Sequence, residues 1–468
     1  MPDAAPQASP ALAVPPEIFK AYDIRGVVGK TLTAPIVRAI GQTLGGLARE
    51  RGADTFAVGR DGRLSGPELL DALTAGLRAA GANVIDVGMV TTPMTYFAAH
   101  HLHTGCSVMV TGSHNPPDYN GLKMVVAETT LSGDDIQAVR LRIERGNLAR
   151  GAGAYQTQDI SEAYFDRIVG DIKLARPLKV AIDCGNGVAG AYAPTLFRRL
   201  GCDVVELFCD VDGRFPNHHP DPSQPKNLQD LIARLREGDC ELGLAFDGDG
   251  DRLGIVTPQG DIIYADRQLM LFAADLLARM PGATVIYDVK STRNLKPWIT
   301  KHGGVPLLWK TGHSLIKSKM KEVGAALAGE MSGHTFFGER WYGFDDGLYA
   351  GARLLEILSQ HANPGAVLNA LPDSLSTPEL NLACAEGEHH ALIARLQKAA
   401  VFPTASEIFR IDGLRVEYED GFGLARASNT TPVIVLRFEA DDEQAMLRIQ
   451  DEFRRVLIDA KPAVTLPF

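Results

Sequence analysis

The sequence predicts an α/β protein in which three related α/β domains precede a smaller α+β domain. Three observations carry that expectation. Apolar runs of strand character alternate with helix-period segments, the pattern of helix-covered, largely parallel sheets. The alternation restarts near Leu178 and again near Asp261, so the units repeat in element order. Past Pro372 it gives way to short strands in antiparallel succession. A length of 468 residues suits three or four domains.

In chain order, residues 1–16 are rich in Ala and Pro and read as a disordered tail. The first unit has a helix over 34–51, a strand over 55–58, a helix over 66–80 and a strand over 83–87. The apolar run Cys106–Val110 then ends in Thr111-Gly-Ser-His-Asn-Pro-Pro117, a turn that the prolines stop from continuing as a strand. In such sheets ligands bind beyond the carboxyl ends of the strands, where this serine falls. The second unit has strands at 178–183, 203–208 and 242–246, with helices at 190–200 and 227–237. The third has a helix ending at Met280, a strand at 284–287, a helix after His313 and a short strand at 325–328. The last has strands near 416–418, 423–426 and 432–438 and helices at 388–398 and 442–460. Domain boundaries are expected at 17–158, 159–261, 262–372 and 373–468.

Composition narrows the function classes. Hydrophobic residues make up 45% and charged residues 22%, so cores can form throughout. Lys and Arg number 47 against 57 Asp and Glu, a net charge of −10, without a basic block for nucleic acid or anionic membrane. No apolar run approaches the ~20 residues of a membrane span. Six cysteines without a C-x-x-C pair read as reduced, buried thiols of a cytoplasmic protein, not as disulfides or a zinc site.

Asp247-Gly-Asp-Gly-Asp251 is the strongest chemical signal. Three carboxylates at alternate positions after an apolar strand can converge on a hard cation, Mg²⁺ or Ca²⁺, because the glycines let the backbone fold round it. An EF-hand is excluded, since Arg252 and Pro258 stand where its Gly and Glu belong. Arg426-Ala-Ser-Asn-Thr-Thr431 offers a guanidinium, hydroxyls and an amide, suited either to a phosphate dianion or to a capped turn. Gly329-Glu-Met-Ser-Gly-His334 sets a carboxylate, a hydroxyl and an imidazole at a strand end, suited either to vicinal sugar hydroxyls or to a polar loop. Lys123, Arg252, Lys290, Lys310 and His313 lie near strand ends and could jointly favour an anionic substrate. Gly185-Asn-Gly-Val-Ala-Gly190 satisfies a dinucleotide-binding pattern, but Asp183 interrupts the approach to it. Gly112-Ser113 is not a nucleophile elbow, because Thr111 and Asn115 occupy the glycine positions.

Together, Thr111-Gly-Ser-His-Asn-Pro116, Asp247-Gly-Asp-Gly-Asp-Arg252, Gly329-Glu-Met-Ser-Gly-His334 and Arg426-Ala-Ser-Asn-Thr-Thr431 resemble the four signature loops of the α-D-phosphohexomutases. They occur in the family's order, one per domain. Met331 in the third loop is most similar to the bacterial phosphomannomutase/phosphoglucomutase branch; the glucosamine branch usually has Gln there. The resemblance implies four domains around a central cleft and a phosphoserine at Ser113. It implies Mg²⁺ held by the Ser113 phosphate with Asp247, Asp249 and Asp251, and a hexose 1,6-bisphosphate as intermediate and activator. Arg25, His114, Lys123, Arg252 and His334 would surround the transferring phosphoryl group. Glu330, Met331, Ser332 and Gly333 would form the sugar loop, with Glu330 and Ser332 on O3 and O4. Arg426, Ala427, Ser428, Asn429 and Thr430 would grip the distal phosphate, aided by Tyr22, Arg267, Lys290 and His313. The implied activity interconverts hexose 1- and 6-phosphates of mannose, glucose or both, in a cytoplasmic monomer whose partner is a small phosphosugar. The rivals are a phosphoglucosamine mutase and a metal-dependent sugar phosphatase.

Overall fold

Each strand–helix alternation closes into its own sheet in the computed structural model, which describes residues 12–385, 387–429, 431–462 and 464–468. The chain packs as two compact units. One holds the residues through Tyr264 together with Ser332–Asn369; the other holds Ala265–Met331 and Ala370–Phe468. Of the expected tail, residues 1–11 lie outside the described residues, whereas Val14 is buried against the first core and Pro16 opens a 3-10 turn. Among the described residues no helix is long and apolar enough to cross a membrane.

The first unit carries two sheets. In the first sheet, Thr55–Arg60 lies between Ser107–Val110 and Asn83–Met89, all parallel, and Tyr155–Thr157 extends the same side. The other side is antiparallel: Tyr119–Val126 returns along Ser107–Val110, and Ile24–Val27 along Tyr119–Val126. No local sequence pattern marks this return strand, because Pro116 and Pro117 resemble a terminator and Asn120-Gly121 a turn. Gly121 is instead needed inside the sheet, since a Cβ there would lie 2.2 Å from the Ile24 carbonyl. The return sets Lys123 opposite Met109, close to the serine turn. Helices Thr92–His101, Asp134–Glu144 and Ser161–Asp171 were likewise not anticipated; the first is buried along nearly its whole length and shows little amphipathic contrast.

In the second sheet, Leu242–Phe246, Lys179–Asp183 and Asp203–Leu207 run parallel, and Leu253–Val256 turns back on Leu242–Phe246 with Phe246 opposite Leu253. The acidic loop is therefore the tip of a hairpin whose stems are fully buried. The segment 332–369 completes this unit with the helix Gly347–Leu358 and an aromatic cluster in which Trp341 stacks on Tyr349 at 4.1 Å.

Asp346 anchors that cluster. It accepts the Tyr349 amide at 2.9 Å as the helix N-cap and the Tyr164 hydroxyl at 2.9 Å. Burial lifts its carboxyl to about 7. The folded state thus binds the extra proton between the unfolded carboxyl pKa, roughly 3.9, and 7. Stability therefore falls as pH rises through that window, and the penalty is complete above it. Asp346→Asn keeps an acceptor oxygen for both donors, so the variant should gain about 2–4 kcal/mol over the parent at pH 8 and little at pH 4. Urea-unfolding midpoints at the two pH values check it; a parallel pH dependence in both proteins would refute it.

The second unit pairs Thr284–Asp288 with Val305–Trp309 and with Leu327–Gly329, all parallel. Its other sheet is antiparallel, with Gly421–Ala427 between Leu414–Tyr418 and Val433–Ala440, flanked by helices Glu388–Ala399 and Glu443–Ala460. Arg415 joins the two. Its guanidinium lies 3.8 Å from the Phe422 ring and donates to the carbonyls of Val289 at 2.8 Å and Ser291 at 2.6 Å. The turn that follows Thr284–Asp288 is thereby held by the antiparallel sheet.

Candidate functional site

The serine turn is built on a hidden ion pair. Asp61 accepts the Thr111 hydroxyl at 2.7 Å and the Gly112 amide at 3.2 Å, and Thr111 Oγ1 accepts the Ser113 amide at 2.8 Å. Arg63 lies 3.3 Å from Asp61 and is almost fully buried. Its guanidinium donates to the carbonyls of Ser113, Asn115, Pro116 and Tyr119 at 2.7, 2.5, 2.5 and 2.9 Å. These bonds hold Ser113 in the left-handed region at φ 47°, a conformation that costs an L-residue about 1–2 kcal/mol. They also aim its Oγ at Asp247 Oδ2, 3.0 Å away.

The acidic loop meets the serine edge-on. A Cβ on Gly248 would lie 2.3 Å from the Ser113 carbonyl, and Gly250 takes φ 76°. Asp247, Asp249 and Asp251 are all fully buried, and each offers an oxygen within 4.8 Å of the others. Thr92 donates to Asp249 at 2.5 Å, while Asp249 Oδ1 is buried without a hydrogen-bond partner among the described residues. Three converging carboxylates, one with an unspent oxygen, make a group able to hold a metal ion. Gly248→Ala should push the two loops apart and lower turnover about a hundredfold at unchanged secondary structure. Steady-state kinetics with circular dichroism tests this, and parental turnover would contradict it.

Cations ring the aspartates. Lys123 bonds Asp249 at 2.8 Å and also Asp251. Burial alone would lower its ammonium pKa, but the two carboxylates raise it well above the usual range. Asp247 is pushed up by burial and by its two neighbours; Asp251, despite burial, is held well down by Lys123 and His334. His334 Nε2 lies 3.2 Å from Asp251 and 3.3 Å from Arg252 Nε. His114 Nδ1 lies 3.2 Å from Ser113 Oγ; burial and the surrounding cations push it well below the usual imidazole range, so the ring is neutral. Arg25 is held by Asp23 and Asn115. Ser113, Arg25, His114, Lys123, Arg252, His334 and the three aspartates thus all lie in the first unit, together with Tyr22, Ser332 and Gly333. Ser332 Oγ lies 3.2 Å from His334 Nδ1.

The second unit gathers the remaining residues. Glu330 accepts the Gly312 amide at 2.5 Å, next to the buried His313. The Met331 amide, Ser291 and Thr311 all donate to Asp288, at 3.1, 2.7 and 2.7 Å. Asp412 accepts from the Thr311 amide at 3.1 Å and from Arg426 Nε at 3.0 Å. Lys290 bonds Glu379 at 2.6 Å; burial would lower its pKa, but Glu379 and Asp288 raise it. Arg267 donates to the Leu371 carbonyl and pairs with Asp373, each at 3.0 Å. Ala427 and Ser428 are buried and Asn429 half-buried; Thr430 lies outside the described residues. The organising residues Asp61, Arg63, Asp288, Glu379 and Asp412 were not singled out from the sequence. Only Gly59-Arg-Asp-Gly-Arg63, charge crowded between glycines after a strand, signalled one of these pairs.

The chain matches four family descriptions in succession. The phosphoglucomutase/phosphomannomutase α/β/α domains I, II and III match residues 16–150, 162–260 and 264–375, and the C-terminal domain of that family matches residues 379–456. It is 60% identical over 454 residues to a phosphoglucomutase of Neisseria gonorrhoeae, covering 96% of this chain and 98% of that protein. It is 56% identical over 459 residues to a phosphomannomutase/phosphoglucomutase of Pseudomonas aeruginosa, covering 98% and 99%. A crystal structure of a phosphoglucomutase/phosphomannomutase family protein from Burkholderia thailandensis superposes with a TM-score of 0.93 at 59% identity, covering 97% of this chain and all of that one. Four domain matches in order, over a serine held against three buried aspartates, place the chain in the phosphoglucomutase/phosphomannomutase family of α-D-phosphohexomutases.

Proposed function

We propose that this isomerase interconverts the 1- and 6-phosphates of mannose, glucose or both, with Ser113 as the phosphoryl carrier. The observation that carries the reading is Ser113 Oγ, aimed at Asp247 from a strained turn that Asp61 and Arg63 lock. Phosphoserine gives its phosphoryl to the free hydroxyl of the bound monophosphate: the bond from phosphorus to Ser113 Oγ breaks, and a bond to the sugar oxygen forms. The product is the 1,6-bisphosphate, which returns its other phosphoryl group to Ser113 after turning over. The sugar hydroxyl's proton passes to His334, which reaches the aspartate cluster at Asp251, while Lys123, kept an ammonium by Asp249 and Asp251, offsets charge beside it. Arg25 and Arg252 stabilise charge on the transferring group.

Bound Mg²⁺, held by Asp247, Asp249 and Asp251 with the Ser113 phosphate, would polarise that group as a Lewis acid. Glu330 and Ser332 orient the sugar hydroxyls. Arg426, Ser428, Asn429 and Thr430 hold the distal phosphate with Tyr22, Arg267, Lys290 and His313. We place this chemistry in the cytoplasm, in a monomer.

The experiment supplies mannose, glucose and glucosamine 1-phosphates with a trace of glucose 1,6-bisphosphate. Phosphorus NMR should show 6-phosphates of mannose or glucose, and intact mass should show one phosphate on Ser113. Inorganic phosphate in place of 6-phosphate would make the protein a phosphatase. Preferred turnover of glucosamine 1-phosphate would move it to the glucosamine branch.

A further inference from the structure

All six cysteines are free, four buried and two, Cys209 and Cys384, half-buried. Two of the six meet. Cys184 follows the strand Lys179–Asp183, Cys209 follows the neighbouring strand Asp203–Leu207, and their sulfurs lie 3.7 Å apart. Parallel pairing sets Asp183 opposite Leu207, and the Cys184 amide donates to the Leu207 carbonyl at 3.2 Å. Closing the bond to roughly 2.05 Å requires the sulfurs to approach by less than the width of one atom.

The turns that carry the cysteines press on the acidic loop. Phe208, Gly185 and Asn186 all have positive φ, at 49°, 48° and 61°. The Asn186 amide donates to the Phe208 carbonyl at 2.8 Å, which ties one turn to the other. The Val188 amide donates to the Gly248 carbonyl at 3.2 Å, and a Cβ on Gly187 would lie 3.0 Å from Gly248 Cα and 3.1 Å from the Asp247 carbonyl. No slack separates the Cys184 turn from the loop that bears the three aspartates.

We infer that Cys184 and Cys209 form a peroxide-driven, reversible disulfide that lowers turnover by shifting the Asp247–Asp251 loop. Cys209 is the half-exposed partner and the entry point. Its thiolate attacks one peroxide oxygen, the O–O bond breaks, and Cys209 becomes a sulfenic acid with release of water. The Cys184 sulfur then attacks the Cys209 sulfur; the S–S bond forms, the S–O bond breaks, and the departing hydroxide leaves as water with the Cys184 proton. Two thiols and one peroxide thus yield one disulfide and two waters. A dithiol reductant reverses the step by thiol–disulfide exchange. Burial pushes the Cys184 thiol well up, which fits it to the second role and not the first.

The test treats the Cys384→Ser protein, free of the other half-buried thiol, with graded hydrogen peroxide. Peptide mass spectrometry should recover a Cys184–Cys209 linked pair whose yield tracks a fall in turnover of about tenfold or more, restored by dithiothreitol. Cys209→Ser in the same background should keep parental turnover before oxidant and resist the loss after it. The linked pair is read without any sugar, so its outcome stands apart from the substrate assignment above. Failure to recover that pair, a linked pair with unchanged turnover, or equal loss in the Cys209→Ser protein would each overturn the inference.

Discussion

Ser113→Ala protein is expected to fold like the parent and to lose turnover by about four orders of magnitude or more. Among the described residues the side chain hydrogen-bonds to Asp247 and His114, while the turn around it is held through backbone groups. Alanine takes the same left-handed conformation at similar cost, and Asp247 keeps the amides of Asp251 and Arg252 at 3.1 and 3.2 Å. The chemistry, by contrast, has no second carrier. His114 is a neutral imidazole and Lys123 is engaged by two carboxylates, so neither replaces an alkoxide-forming oxygen at this point. Rate of 6-phosphate formation measures the loss, and intact mass should show no phosphate on the variant. Retention of more than about a tenth of parental turnover would rule out the phosphoserine route.

The second large effect belongs to Arg63, buried beneath the serine turn. Arg63→Lys should lower kcat about a hundredfold while KM changes little, because one ammonium cannot reach four carbonyls spread over 113–119. Arg63→Ala should add a stability loss of about 3–5 kcal/mol, since Asp61 is then buried without its counter-charge. Hydrogen exchange localises the damage: amides of 111–121 should lose protection while those of the Asp203–Leu207 strand keep theirs. A lysine variant with parental kcat would show that the turn holds without the guanidinium.

These two residues mark how far the sequence could be read. The alternation of apolar strands and helices announced the parallel strands, and the Asp-Gly-Asp-Gly-Asp spacing announced a carboxylate cluster, because both depend on local order. The return strand Tyr119–Val126 was hidden, since an antiparallel strand two residues beyond a proline pair follows no local period. Arg63, Asp288 and Asp412 were hidden for a related reason. Each acts on backbone or side chains far along the chain, and nothing near Arg63 says that its partners begin at Ser113. Residues that bear chemistry carry recognisable types at recognisable spacing. Those that hold them in place are ordinary charges whose importance appears only with burial.

One connectivity has a consequence for how the protein is made. His334, which pairs with Asp251 at 3.2 Å, belongs to the segment Ser332–Asn369 that returns to the first unit after the excursion Ala265–Met331. A chain leaving the ribosome at roughly 5–20 residues per second exposes the three aspartates several seconds before that imidazole is synthesised. Lys123, by contrast, is translated before any of them. The nascent acidic loop therefore meets its lysine first and its histidine last.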